Sequence, residues 1–125
     1  MSRVALQRED DDDDVERRRL GERLREARKY LGLKQDEVAT YLKIPRTALT
    51  DIENGHRRVE AIELSRLAKL YRQPVGFFTG EDATSAFPVD VAHLARRAAK
   101  LSLQDRDELG RFADYLRTRS RAGRG

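Results

Sequence analysis

The sequence predicts an all-α fold, and three observations carry that expectation. From Val15 onward, apolar residues recur at spacings of three and four, the period of a helix with one buried face. Nowhere do apolar and polar residues alternate with the period of two that a half-buried strand requires. Aromatic residues make up 6% of the chain, hydrophobic residues 38% and charged residues another 38%, with a mean hydropathy of -0.78. The core is therefore small, built mainly from Leu, Ala, Val and Ile beneath a heavily solvated surface. With 125 residues, the chain holds one ordinary domain and short appendages, which excludes a large multidomain enzyme.

Residues 1–14 carry almost no apolar spacing and read as a flexible acidic arm. Helix 1 begins near Val15, with Leu20, Leu24, Ala27 and Leu31 along one face, and Gly32 is its natural stop. Asp13 or Asp14 is placed to cap it, because a carboxylate there accepts orphan amide protons and meets the positive end of the helix dipole. Helix 2, Gln35 to Leu42, buries Val38, Ala39 and Leu42. The connector Lys43, Ile44, Pro45 breaks it, since proline disfavours a helical residue before it and suits the first turn of the next helix. Helix 3, Arg46 to Asn54, turns Leu49 and Ile52 inward and ends at Gly55. After the basic loop His56, Arg57, Arg58 comes helix 4, about Ala61 to Arg72, with Leu64, Leu67, Ala68 and Tyr71 on one face. Pro74 ends it, and a single turn over Val75 to Phe78 supplies two aromatics as a lid on the core.

Gly80 to Pro88 reads as a linker. Beyond it, Val91, Leu94, Ala95, Ala98 and Leu101 form a further helical stripe. Ser102 with Asp105 resembles a capping box, so a last helix starts at Ser102, carries Leu109, Phe112, Ala113 and Leu116 on one face, and frays into the basic tail Arg117 to Gly125. The organisation is an arm over 1–14, a domain over 15–80 and a helical extension over 81–125.

The net charge of +4 conceals an uneven distribution. Residues 1–15 hold two bases against six acids, residues 16–80 hold 15 against nine, and residues 81–125 hold nine against seven. The middle of the chain is thus basic and its start acidic. The acidic run has two readings: a solvated arm with a helix cap, or an arm that competes with nucleic-acid phosphate for the basic face.

Several functional classes drop out. Zero Cys removes disulfides, zinc fingers and thiol catalysis and suits a reducing compartment. No window approaches the roughly 18 apolar residues of a membrane span, and the acidic N-terminus lacks the order of a signal peptide, so a soluble cytoplasmic protein is expected. There is no phosphate-cradling Gly-rich loop, no Gly-x-Ser-x-Gly elbow and no His-Glu-x-x-His pair. His56 and His93 stand without companions, and the carboxylates mostly sit at helical spacing from an Arg, as salt-bridged faces do. Neither an enzyme nor a metal or cofactor site is expected.

What stands out is the pair of short helices over Gln35 to Asn54, joined by a tight connector and flanked by bases. A DNA major groove admits one α-helix, whose N-terminal side chains reach base edges while the preceding helix crosses the backbone. Helix 3 would present Arg46, Thr47, Ala48, Thr50 and Asp51 outward: a donor fork, hydroxyls and an acceptor.

The stretch Leu33-Lys34-Gln35-Asp36-Glu37-Val38-Ala39, followed by Ile44-Pro45-Arg46-Thr47-Ala48-Leu49-Thr50-Asp51-Ile52-Glu53-Asn54-Gly55, closely resembles the XRE family of phage-repressor-like helix-turn-helix proteins. The resemblance runs from Leu20 to Phe78. It implies a five-helix repressor-like domain that binds operator DNA as a dimer, followed here by about two C-terminal helices. By the resemblance, Gln35 holds phosphate and braces the recognition helix, Arg46, Thr47, Ala48, Thr50 and Asp51 occupy recognition positions, Glu53 is structural, and Asn54, Arg57 and Arg58 meet the DNA backbone. Lys34 and Pro45 depart from the usual capping residues of helices 2 and 3.

Chemistry then assigns roles. Arg46 matches O6 and N7 of guanine or, equally within reach, a phosphate; Ala48 or a Thr methyl suits a thymine methyl; Asp51 suits cytosine N4 or an internal pair with Arg57 or Arg58. Arg57, Arg58, Lys43 and Gln35 would supply salt-dependent affinity without sequence information. The stripes of the C-terminal helices either pack back on the domain or form a two-fold interface, and the second is favoured. The layout also resembles regulators found beside toxins or IrrE-like metallopeptidases, so a partner-binding, autoregulating antitoxin-like protein is the alternative to a dimeric repressor.

Overall fold

The computed structural model describes the backbone of residues 3–124 and the side chains of residues 12–123. Among the described residues there are seven α-helices and no strand. They are α1 (Arg3–Tyr30), α2 (Gln35–Leu42), α3 (Arg46–Glu53), α4 (Ala61–Tyr71), α5 (Val75–Thr79), α6 (Val89–Ala99) and α7 (Leu103–Arg124), with a 3-10 turn over Ala83–Ala86. The chain divides into two units, Met1–Asp90 and Val91–Gly125.

α1 corrects the expectation at the N-terminus. It starts at Arg3 rather than near Val15, so the acidic run is helical in its backbone and neither Asp13 nor Asp14 is a cap. Where the described side chains begin, the helix carries charge pairs rather than a buried stripe. Asp14 accepts from Arg17 Nη1 at 2.9 Å one turn on, and Arg18 Nε donates to the Asp14 carbonyl at 3.4 Å. Pairs at i+3 and i+4 support a helix with no buried stripe.

The first unit packs α3 against α1 and α2, and α5 against α1 and α4. Its core holds Leu24, Ala27, Val38, Leu42, Leu49, Ile52 and Leu67, with Tyr71, Phe77 and Phe78 as its largest buried side chains. Phe77 and Phe78 meet edge to face at 5.3 Å, and Tyr71 lies 6.2 Å from Phe78. Each such aromatic stabilises the unit by roughly 1.5–3 kcal/mol through burial, so these rings belong to the core itself.

One device ends both α2 and α4. Lys43 takes φ 59° and Arg72 φ 58°, left-handed positions, and the following amides reach back to the helices: Ile44 N to Ala39 O and Gln73 N to Ala68 O, each at 3.0 Å. A proline then stands just before the next helix, as the N-cap of α3 (Pro45) and of α5 (Pro74). Pro45 therefore precedes the first turn of α3 rather than lying within it. α3 itself ends at Glu53, with Asn54 as its cap.

The first unit runs on through Asp90, past the stretch Gly80 to Pro88. Glu81 to Pro88 is tied down: Asp82 N donates to Gly76 O at 2.9 Å, and the Asp82 side chain accepts from Thr84 N at 2.9 Å. In the second unit, Ser102 caps α7, its Oγ accepting from Asp105 N at 3.1 Å, as the capping pattern predicts.

Candidate nucleic-acid interface

The site is built on α3, and its position is set from beneath. Glu53, on the inner face, has a side chain with 0% exposure. A carboxylate removed from water needs every lone pair satisfied. Arg28 of α1 supplies a fork, Nε to Oε2 at 2.7 Å and Nη2 to Oε1 at 3.0 Å, and Gln35 at the start of α2 adds Nε2 to Oε1 at 3.0 Å. Arg28 Nη1 donates onward to the Leu33 carbonyl at 3.0 Å. One carboxylate thus ties α1, the α1–α2 connector and the first residue of α2 to the end of α3. The hydrogen bond to Glu53 raises the Arg28 pKa above its ordinary value, against the opposing pull of burial.

Gly21 fixes the other contact between α1 and α3. A Cβ there would stand 2.5 Å from the carbonyl oxygens of both Ile52 and Glu53, so only glycine allows this approach. Gly55, at φ +78°, then turns the chain out of α3. His56 N and Arg57 N return to Asp51 O at 2.8 and 3.2 Å.

The outer side of α3 bears most of the expected residues, with two differences. Arg46, Thr47 and Asp51 are exposed, whereas Ala48 and Thr50 are half-buried. The Thr50 hydroxyl is engaged within the protein, donating to Gln35 Oε1 at 3.3 Å and to the Arg46 carbonyl at 3.1 Å. Arg46 Nε stands 3.6 Å from Asp36 Oδ1, an open surface pair worth at most about 1 kcal/mol.

Asp51 makes no ion pair among the described residues, because Arg57 is taken elsewhere: its guanidinium lies 3.3 Å from both oxygens of Glu63 on α4. Of the two readings of Asp51, the internal pair with Arg57 or Arg58 does not form among the described residues. Gln35 spends its amide on Glu53 and Thr50, so bracing is its visible role. Lys43 is exposed at the α2–α3 turn, and Asn54 accepts from Arg25 Nη2. Arg58 is exposed and lines a depression together with Asp13 and Arg17.

Capping at α2 answers the departure at Lys34. An ammonium has no acceptor to offer the helix, and only the reverse bond forms, Glu37 Oε1 accepting from Lys34 N at 3.1 Å.

Residues of α1 were missed. Arg25, Arg28 and Lys29 line one depression with Lys34, Gln35, Asp36 and Arg46, five bases around one carboxylate at the start of α2. Their signal was present in the sequence: they sit at i, i+3 and i+4, one basic row beside the apolar row of Leu24 and Ala27.

Residues 24–78, from the last two turns of α1 through Phe78 in α5, match the helix-turn-helix family. The HTH-type transcriptional regulator ImmR of Bacillus subtilis (strain 168) is 32% identical over 91 residues, covering 72% of this chain and 72% of that protein. The chain belongs to the XRE family of helix-turn-helix proteins. That family is one of DNA-binding regulators and not an enzyme class. No solved structure matches the chain. Among the described residues, no helix is long and apolar enough to cross a membrane.

Proposed function

We propose that this protein is a cytoplasmic transcriptional repressor that reads a pseudo-palindromic operator as a homodimer, placing α3 in the major groove of each half-site. The observation that carries the reading is the division of α3. Its inner face is locked to α1 and α2 through Glu53, while Arg46, Thr47 and Asp51 stand exposed on the other side. A helix held so rigidly can present base-reading groups at fixed positions. Arg46 pairs with guanine, Asp51 accepts from cytosine N4, and Thr47, Ala48 and the Thr50 methyl contact thymine.

Phosphates are held on both flanks: by Lys43, Asn54, Arg57 and Arg58 on one, and on the other by the basic depression at Gln35, where the amides opening α2 add their positive end. The last two acids of the run lie beside this face, since Asp14 lines a depression with His56 just as Asp13 does with Arg58. There they oppose indiscriminate phosphate binding.

Selection of bound duplexes from a random pool, with the mass of the protein measured in solution, tests the reading. A two-fold symmetric site with half-sites about 34–36 Å apart is expected. An asymmetric site bound by a monomer would overturn the dimer, and no retention on duplex DNA at about 100 mM salt would overturn DNA binding itself. A second reading, an antitoxin-like or peptidase-associated regulator, draws on the exposure of Leu94 (50%), Leu103 (77%) and Phe112 (56%). A protein partner recovered in stoichiometric amount would favour it.

A further inference from the structure

The second unit ends in a helix whose apolar stripe is left open. On α7, Leu109, Phe112, Ala113 and Leu116 share one face, yet Phe112 is 56% exposed and Leu109 and Leu116 are only half-buried. Phe112 stacks on Tyr115, itself 57% exposed, so the two rings form an open aromatic step beside the stripe. Soluble helices seldom leave such a row to water without a partner.

The charges of the helix say which partner fits. Leu103 to Gly110 carries Asp105, Asp107 and Glu108 against Arg106, a net of -2, while Arg111 to Arg124 carries five Arg against Asp114, a net of +4. A second copy laid alongside in the same direction would set like charge against like, and one laid in the opposite direction sets the acidic half of each helix against the basic half of the other. The stripe has the same symmetry: reversal about a point between Phe112 and Ala113 carries Leu109 onto Leu116 and Phe112 onto Ala113. At about 100° per residue, Asp105 falls within the arc of the seam near its start, Glu108 borders it there, and Arg119 borders the same edge near its end.

The geometry points to an antiparallel, two-fold pairing of α7 with α7 of a second copy, centred between Phe112 and Ala113. This inference rests on the dimer reading above and gives it a surface. In such a pair the two Leu103 ends lie about 28 Å apart at about 1.5 Å per residue, whereas a parallel pair would bring both ends to within about 8–10 Å.

The absence of Cys makes the test clean. In the full-length protein, Ala113→Cys is expected to cross-link to itself on mild oxidation. Asp105→Cys and Ser120→Cys each fail alone and cross-link when mixed, since residues 105 and 120 face each other only in the antiparallel arrangement. Phe112→Lys with Leu116→Lys is expected to give a monomer by light scattering with unchanged helical content. Glu108→Arg and Arg119→Glu each weaken the dimer and restore it when combined. Self-cross-linking of Ser120→Cys would establish a parallel pair and overturn the proposal. A dimer that survives the double lysine variant would leave the dimeric repressor standing and remove α7 from its interface. A monomeric wild-type protein would end both.

Discussion

Two carboxylates on α3 lie two residues apart and differ in almost everything but charge. Glu53 is fully buried, with Arg28 and Gln35 donating to it and Arg25 at 3.8 Å, whereas Asp51 is exposed and has no ion pair among the described residues. The first spends its charge on holding the helix, and the second leaves its charge open to solvent. The difference teaches how a short helix divides its two faces: only eight residues long, it is too short to be stable alone and is held by one face while the other stays open. It also separates two experimental signatures. Changes on the inner face should alter folding first, and changes on the outer face should alter DNA recognition with folding intact.

The largest effect belongs to Glu53. Glu53→Gln leaves the Arg28 guanidinium in a buried place without its counter-charge, and the loss is expected to be about 3–5 kcal/mol in chemical denaturation. An apolar replacement of the pair, Glu53→Leu with Arg28→Met, should recover much of that loss, because two charges no longer need to be desolvated. If the single variant were as stable as wild type, the carboxylate would not be the tie that the distances indicate.

Next comes Gly21, where two principles predict opposite signs. Ala in a helix interior is favoured over Gly by about 1 kcal/mol. A Cβ 2.5 Å from two backbone carbonyl oxygens requires α1 and α3 to move apart, at a cost of about 1–3 kcal/mol. The clash involves backbone on both sides and should win, so Gly21→Ala is expected to melt lower than wild type. A higher melting temperature would show that the two helices separate freely.

How much of this was legible depends on whether the signal is local. The ends of α2 and α3 could be read because Gly55, Pro45 and the apolar spacing of Val38, Leu42, Leu49 and Ile52 all act within a few residues. The extension of α1 back to Arg3 could not be read from apolar spacing, because residues 3–14 offer almost none. The clamp on Glu53 joins residues 25 positions apart, and Arg57 finds Glu63 across a loop. Such pairings depend on how helices cross, which no local pattern encodes. Thr50 falls at the border between the two faces of α3, so periodicity left the direction of its hydroxyl undecided, and Gln35 decided it.

On the outer face, Arg46→Ala should leave the melting temperature unchanged, since its partner Asp36 is as exposed as it is. In binding assays with single-base operator variants, it is expected to lose about 1–3 kcal/mol of discrimination at one position. A uniform loss at every position would move Arg46 from bases to phosphate. Arg57→Ala should weaken all duplexes alike and lower the slope of log affinity against log salt by about one. Because Glu63 already holds this guanidinium, an unchanged slope would mean that the pair is purely internal.

The smallest effect returns to the core. The Tyr71 hydroxyl is buried without a hydrogen-bond partner among the described residues, and burial, followed by the nearby Glu53 charge, pushes its pKa above the ordinary value of 10.0. A buried polar group left unpaired is a cost to the folded state, so Tyr71→Phe at neutral pH should be neutral or stabilising by up to about 1 kcal/mol. At alkaline pH the sign is fixed by linkage. Above about pH 10 the unfolded chain releases the phenolic proton while the folded protein retains it, so the unfolded state binds fewer protons and stability falls as pH rises. Tyr71→Phe has no such proton to lose. Denaturation curves between about pH 9 and 11 should therefore diverge, with the variant losing less stability than wild type. Parallel curves would mean that the hydroxyl reaches solvent, and that the floor beneath α3 is looser than the packing of Tyr71 on Phe78 indicates.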